Sequence, residues 1–146
     1  MKSIERGALV QHSAQQMYSL VEDIESYPKF LPWCSRTEIH RRDESITVAT
    51  IHIAYAGVQQ QFTTENLKQP GTAMTIRLVK GLFKHLNGDW LFKPLGPDAC
   101  KVELRLSYQM SSGFLETLAG PVFNHIANTL VDAFVARADA VRAGAK

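Results

Sequence analysis

Few side chains in this sequence are spaced for covalent or acid–base chemistry. The five histidines, His12, His40, His52, His85 and His125, show no H-x-x-x-H spacing, so no metal site is expected. Cys34 and Cys100 are far apart and neither belongs to a C-x-x-C pair, which reads as two reduced thiols. There is no G-x-S-x-G elbow, no glycine-rich phosphate loop and no pair of carboxylates on a dry face, so no catalytic residue is assigned. The spacing does offer recognition chemistry. Tyr55 and Tyr108 each carry a hydroxyl on an otherwise apolar parity, placed to donate to the head of an apolar ligand. Arg36, His40, Arg41 and Arg42 cluster around one turn, with Glu38, Asp43 and Glu44 interleaved. That mixture reads as a solvated edge that discourages strand pairing, or alternatively as a weak contact for RNA phosphate. Lys80, Lys84 and Lys93 are further cations that could attract phosphates or anionic headgroups.

The elements that must position these groups follow from hydrophobic period. Residues 2–11 read as a strand. Ser13 reads as an N-cap, and Met17, Leu20, Val21 and Ile24 recur at helical spacing over 14–25. Tyr27 before Pro28 ends that helix, and Phe30, Leu31 and Trp33 form an apolar insert between two prolines. In the middle of the chain the period becomes two. Ala49, Ile51, Ile53 and Tyr55 alternate with polar neighbours, as do Met74, Ile76 and Leu78, then Leu86, Trp90 and Phe92, then Val102, Leu104, Leu106, Tyr108 and Met110. About six antiparallel strands joined as a meander are expected, with one wet face and one dry face. After Gly113 a stripe of Phe114, Leu118, Phe123, Ile126, Leu130, Phe134 and Val141 predicts a helix over 114–142, kinked or broken at Gly120 and Pro121.

The fold class expected is therefore α+β, a curved antiparallel sheet covered by one long C-terminal helix, in a single domain over 1–146. Net charge is +2, with 16 basic and 14 acidic residues. That balance singles out neither a nucleic-acid binder nor a membrane-surface protein, and DNA is not an expected partner. With 45% hydrophobic residues, disorder and a disulfide scaffold are excluded. The chain opens without an apolar signal segment and has no apolar run of ~18 residues, so a cytoplasmic protein is expected, able to touch a membrane surface.

Space between a bent sheet and its helix is a natural ligand site. The candidate lining is Ile51, Ile53, Tyr55, Phe62, Ile76, Leu78, Trp90, Phe92, Leu104, Leu106 and Tyr108 from the sheet. Leu118, Phe123, Ile126 and Leu130 come from the helix. Phe30 and Trp33 of the insert plug or gate one end. Phe83 and Leu86, beside Gly81, form an exposed lid or fold back into the core. Each CH₂ of a prenyl tail buried there would contribute about 0.8 kcal/mol. The same residues also suit an ordinary solid core.

Three segments add a resemblance. Residues 21–34, with Tyr27, Pro28, Phe30, Leu31, Pro32, Trp33 and Cys34, resemble the signature of the coenzyme Q-binding START-like family, also called polyketide cyclase-like or the ribosome association toxin family. Phe83, Leu86, Gly88, Trp90, Phe92 and Pro94 are similar to its F-x-x-L-x-G-x-W-x-F-x-P strand, and residues 134–138 to its helix ending. The resemblance covers nearly the whole chain and implies the helix-grip fold. It implies binding of an isoprenoid quinone such as ubiquinone, as a lipid chaperone for quinone synthesis or respiration at the inner membrane, with no cofactor required. Its alternative is association with the large ribosomal subunit, blocking subunit joining. A cyclase or dehydratase ranks last, since Tyr55 and Tyr108 are the only inward acid–base candidates and neither has a partner.

Overall fold

The computed structural model describes the backbone through residue 144 and side chains through residue 142. Strand β1 (Lys2–Val10) is followed by helix α1 (Ala14–Glu22) and a 3-10 helix (Ile24–Lys29). Six strands follow: β2 (Cys34–Arg42), β3 (Ile46–Tyr55), β4 (Val58–Gln69), β5 (Ala73–Gly81), β6 (Phe83–Gly96) and β7 (Ala99–Met110). Helix α2 (Gly113–Gly144) ends the described chain. Among the described residues no helix is long and apolar enough to cross a membrane.

All seven strands form one antiparallel sheet in the order β1-β7-β6-β5-β4-β3-β2. The meander expected from period-two alternation is present, and β1 closes it by pairing with β7, Lys2 opposite Tyr108 through Val10 opposite Cys100. β1 and β2 lie at opposite edges of the sheet, so the chain between them, α1 and the 3-10 helix, must travel from one edge to the other.

Ser13 caps α1 as its sequence predicts. Its hydroxyl accepts from Gln16 N, and Gln16 Oε1 accepts from Ser13 N, a capping box. The helix is shorter than the periodicity suggests and ends at Glu22, because Asp23 (φ −81°, ψ 65°) leaves the helical region. Ile24 belongs to the 3-10 helix, which carries Pro28 within it. Pro121 does not break α2, whose 32 residues are assigned as one helix.

The face of α2 differs from the expected stripe. Ala119, Phe123, Ile126, Ala127, Val131, Phe134 and Ala138 are buried, whereas Phe114 (74%), Leu118 (42%) and Val141 are exposed. At ~100° per residue, Phe114 and Leu118 lie roughly 140–180° round the helix from Phe123. Large apolar residues suggested the stripe, while three alanines occupy part of the true contact face and let the helix approach closely.

The outer face of the β2–β4 region is polar without being wet. His40 Nε2 lies 2.7 Å from Thr50 Oγ1, which lies 2.6 Å from Thr63 Oγ1, and His52 Nε2 meets Glu38 at 2.6 Å. Thr50 and Thr63 are buried by this ladder. Cys34 and Cys100 are free and buried, and burial pushes the Cys34 thiol up to about 11.

Candidate functional site

The inner sheet face, α1, the 3-10 helix and α2 enclose a cavity of about 80 Å³. Its walls include Trp33, Ile51, Phe62, Ile76, Leu86, Trp90, Leu106, Phe123, Ile126 and Leu130, ten of the residues that the sequence nominated. Alternation puts the sheet residues there, since Leu86 and Trp90 share one parity and Ile76 and Leu106 stand on either side of Gly88. Gly88 must lack a side chain. A Cβ there would come within 2.5 Å of the Arg105 carbonyl and 2.8 Å of Leu106 Cδ1.

The other nominated residues lie elsewhere. Tyr55 is 38% exposed at the β3–β4 turn and stacks on His125, with ring centroids 5.9 Å apart. The turn carries it away, because Ala56 and Gly57 both take positive φ (51° and 80°) to reverse the strand. Tyr108 is buried, but its hydroxyl donates to Asn124 Oδ1 at 3.1 Å rather than into the cavity. Burial and then Glu116 push that hydroxyl above its ordinary range. Phe83 packs on Phe123 (4.7 Å), Phe62 and Tyr108, so the 81–86 segment folds back instead of presenting a lid. Phe92 is buried against Tyr18 and Trp90, and Leu104 is fully buried. Ile53 is buried beside a shallow depression near Gln59 and Gln61. Leu78 is half-buried at the margin of the core where β5 and β6 part, and Leu118 is exposed on α2. Phe30 sits just outside the cavity, edge-on to Tyr27 and Phe134, with the Arg137 guanidinium 5.2 Å above its ring.

Val21, Ile24, Thr64, Asn66, Ala127 and Phe134 also line the cavity without being nominated from the sequence, and Met74 of the inward face and Tyr27 of the insert line it too. Thr64 and Asn66, with the indole N–H groups of Trp33 and Trp90, bring polar character to an otherwise apolar lining. Both are buried, and Thr64 Oγ1 donates to Asn66 Oδ1 at 3.0 Å. No described residue takes the Asn66 amide hydrogens, so they are free to donate inward. Parity from Phe62 marks both residues as inward, but β4 is too polar to read as a half-buried strand. The Tyr27 hydroxyl, also in the walls, donates to the Val21 carbonyl, and burial pushes it above its ordinary range.

The arginine cluster is internally neutralised. Arg36 meets Glu38 at 3.3 Å, Arg41 meets Asp43 at 3.0 Å, and Arg42 bridges Glu22 and Glu25. The solvated-edge reading holds for it. Lys93 is likewise paired with Glu103.

Comparison with known proteins agrees with this geometry. Residues 10–135 match the family described as polyketide cyclase / dehydrase and lipid transport. A ribosome association toxin, RatA, of Vibrio cholerae is 44% identical over 97% of this chain and 98% of its own. The mitochondrial coenzyme Q-binding protein COQ10 of Drosophila melanogaster is 28% identical over 87% of this chain, which spans 54% of that relative. The solved Zhui aromatase/cyclase of Streptomyces superposes with a TM-score of 0.81 over 94% of this chain and 93% of its own at 16% identity, a likeness of fold alone. With its curved antiparallel sheet gripping one long terminal helix, this chain belongs to the polyketide cyclase / dehydrase and lipid transport family and has the START-like helix-grip fold.

Proposed function

We propose that this chain associates with the ribosome, binding the large subunit and blocking its joining to the small one, with no catalytic step of its own. The observation that carries this reading is the end-to-end alignment with relatives named for ribosome association. The interior supports the same choice. About 80 Å³ is far below the ~300–1,000 Å³ of sites that enclose drug-sized ligands. A prenyl quinone would need this cavity to widen before it could enter. No carboxylate, imidazole or thiol lines the cavity, which leaves a cyclase without a general acid or base. The purified chain is expected to pellet with large ribosomal subunits and to reduce formation of joined ribosomes in a sucrose gradient. Failure to pellet even at ~50 mM salt, where phosphate contacts are strongest, would end the proposal.

The free Asn66 amide favours a second role compatible with the first. An apolar molecule bearing a carbonyl, the headgroup of a quinone among them, can accept from Asn66 once the cavity widens. In that role the chain carries an apolar ligand, as a lipid chaperone would. A short-chain ubiquinone is expected to bind the native chain and to bind Asn66→Leu about tenfold more weakly, the loss of one hydrogen bond of ~1.4 kcal/mol. Equal affinities measured by native mass spectrometry would remove Asn66 from the site, and no binding to either would remove the role.

A further inference from the structure

We infer that the connecting end of the β5–β6 hairpin, where the two strands part, is a phosphate-backbone contact for RNA. This rests on the ribosome-associating reading and names the surface that would serve it. The hydrogen-bonded register between β5 and β6 stops at Arg77 opposite Asn87. Beyond that point β5 pairs only with β4, through Lys80 opposite Thr63, and β6 pairs only with β7, through His85 opposite Gln109. Each pairing shifts register there, so the two strands part and leave a groove of about 900 Å³ on the outside of the sheet. Arg77 stands on one bank, and Lys84 and His85 on the other. Lys80 continues the first bank. Lys84 also borders a second depression of about 510 Å³, shared with Lys2 and with Ser112 and Gly113 at the start of α2.

These cations differ from the other basic residues of the sheet, which meet carboxylates except for Arg6, held by Asn128 Oδ1. Lys2, Arg77, Lys80 and Lys84 are all exposed, and among the described residues no carboxylate oxygen lies within 4 Å of any of them. The Arg36–Arg42 cluster, Lys68, Lys93, Lys101 and Arg105 all have such partners. The acids nearby are partly committed. Glu5 is held by Arg105 at 3.1 Å, and Asp89 accepts the Thr75 hydroxyl at 2.9 Å. Glu65, opposite Arg77 in register, and Glu116 moderate the field without closing on a cation.

The groove contains serine, threonine and asparagine but no phenylalanine, tyrosine or tryptophan. Without a phenylalanine, tyrosine or tryptophan platform it offers bases little to stack on, so it would follow phosphates and leave sequence unread. Binding through it should be strongly salt-dependent, because each neutralised phosphate releases counterions.

The test compares the native chain, the triple variant Arg77→Gln/Lys80→Gln/Lys84→Gln and the control Arg36→Gln/Arg41→Gln in co-sedimentation with purified large subunits between about 50 and 200 mM KCl. The three groove residues are exposed and outside the core, so the fold should survive, which circular dichroism checks. The triple variant is expected to bind at least ~tenfold more weakly at ~100 mM salt, with a log–log salt slope shallower by about 2–3. The control should match the native chain. A triple variant that binds like the native chain, or loses affinity with an unchanged slope, overturns the surface and leaves the ribosomal reading standing. A native chain that fails to bind overturns both.

Discussion

Phe134→Ala is expected to destabilise the chain by about 3–5 kcal/mol, the usual range for truncating a buried phenylalanine. Phe134 is 1% exposed on α2. Its ring meets Tyr27 at 5.4 Å, Phe30 at 5.3 Å and Trp90 at 5.4 Å, all edge-to-face, so one side chain ties the helix to the proline-bounded insert and to the sheet. It also lines the cavity, so the space it vacates joins an existing void instead of being filled by collapse. Both facts push the loss toward the upper end. Leu118→Ala, from the same apparent stripe, should cost less than ~0.5 kcal/mol because that side chain is exposed. Urea denaturation followed by tryptophan fluorescence gives both values. Similar losses at the two positions would mean that α2 is rotated from the face described. A small apolar molecule added to Phe134→Ala should raise its midpoint by occupying the enlarged cavity.

Removing the Glu22 carboxylate should be nearly as damaging. Glu22 lies at the end of α1 with its side chain 18% exposed, and it receives Lys68 Nζ at 2.9 Å and Arg42 Nε at 3.1 Å. Lys68 is the exposed-type residue in the wrong place, with its side chain only 5% accessible. Glu22→Ala leaves that ammonium buried without its counter-charge, and about 3–5 kcal/mol is the expected loss. Glu22→Leu with Lys68→Met should recover most of it, since an apolar pair needs no compensation. A double variant no more stable than Glu22→Ala would show that the carboxylate acts through Arg42 instead. Acid should weaken the same corner. The hydrogen bond from Arg42 holds the Glu25 carboxyl below its ordinary value. Its contribution is therefore present above the ordinary carboxylate range and lost as pH falls through the depressed value. Glu25 is about half exposed, so solvent screening keeps that contribution small.

Several features were legible because one local rule decided them. The capping box needs only Ser13 and Gln16 three residues apart. β7 alternates in burial along its length, and Val102, Leu104, Leu106, Tyr108 and Met110 were read inward correctly. Strand parity likewise brings Ile51, Phe62, Ile76, Leu86, Trp90 and Leu106 to the cavity. The misreadings occur where two elements compete for one residue. Tyr55 has inward parity, but the turn at Ala56 and Gly57 rotates it onto His125. Tyr108 has inward parity and an inward ring, yet Asn124 on α2 takes its hydroxyl. Thr64 and Asn66 were invisible because both faces of β4 carry polar side chains, Thr63 on one bonded to Thr50 and Thr64 and Asn66 on the other bonded to each other, which removes the polar–apolar contrast that reveals a strand.

By itself the sequence determined the order of the elements, the parity of the sheet and the terminal position of the covering helix, because period and turn chemistry act over a few neighbouring residues. The tertiary structure alone decided whether the dry face encloses a solid core or a cavity. That outcome is the difference between the volume enclosed by four distant elements and the summed volume of their side chains. At close-packed density a few side chains change its sign. Here the remainder is about 80 Å³, with Asn66 turned toward it. The same holds for charge. Sixteen basic residues are visible in the chain, but only folding showed which of them face a carboxylate and which stand free along the parted strands.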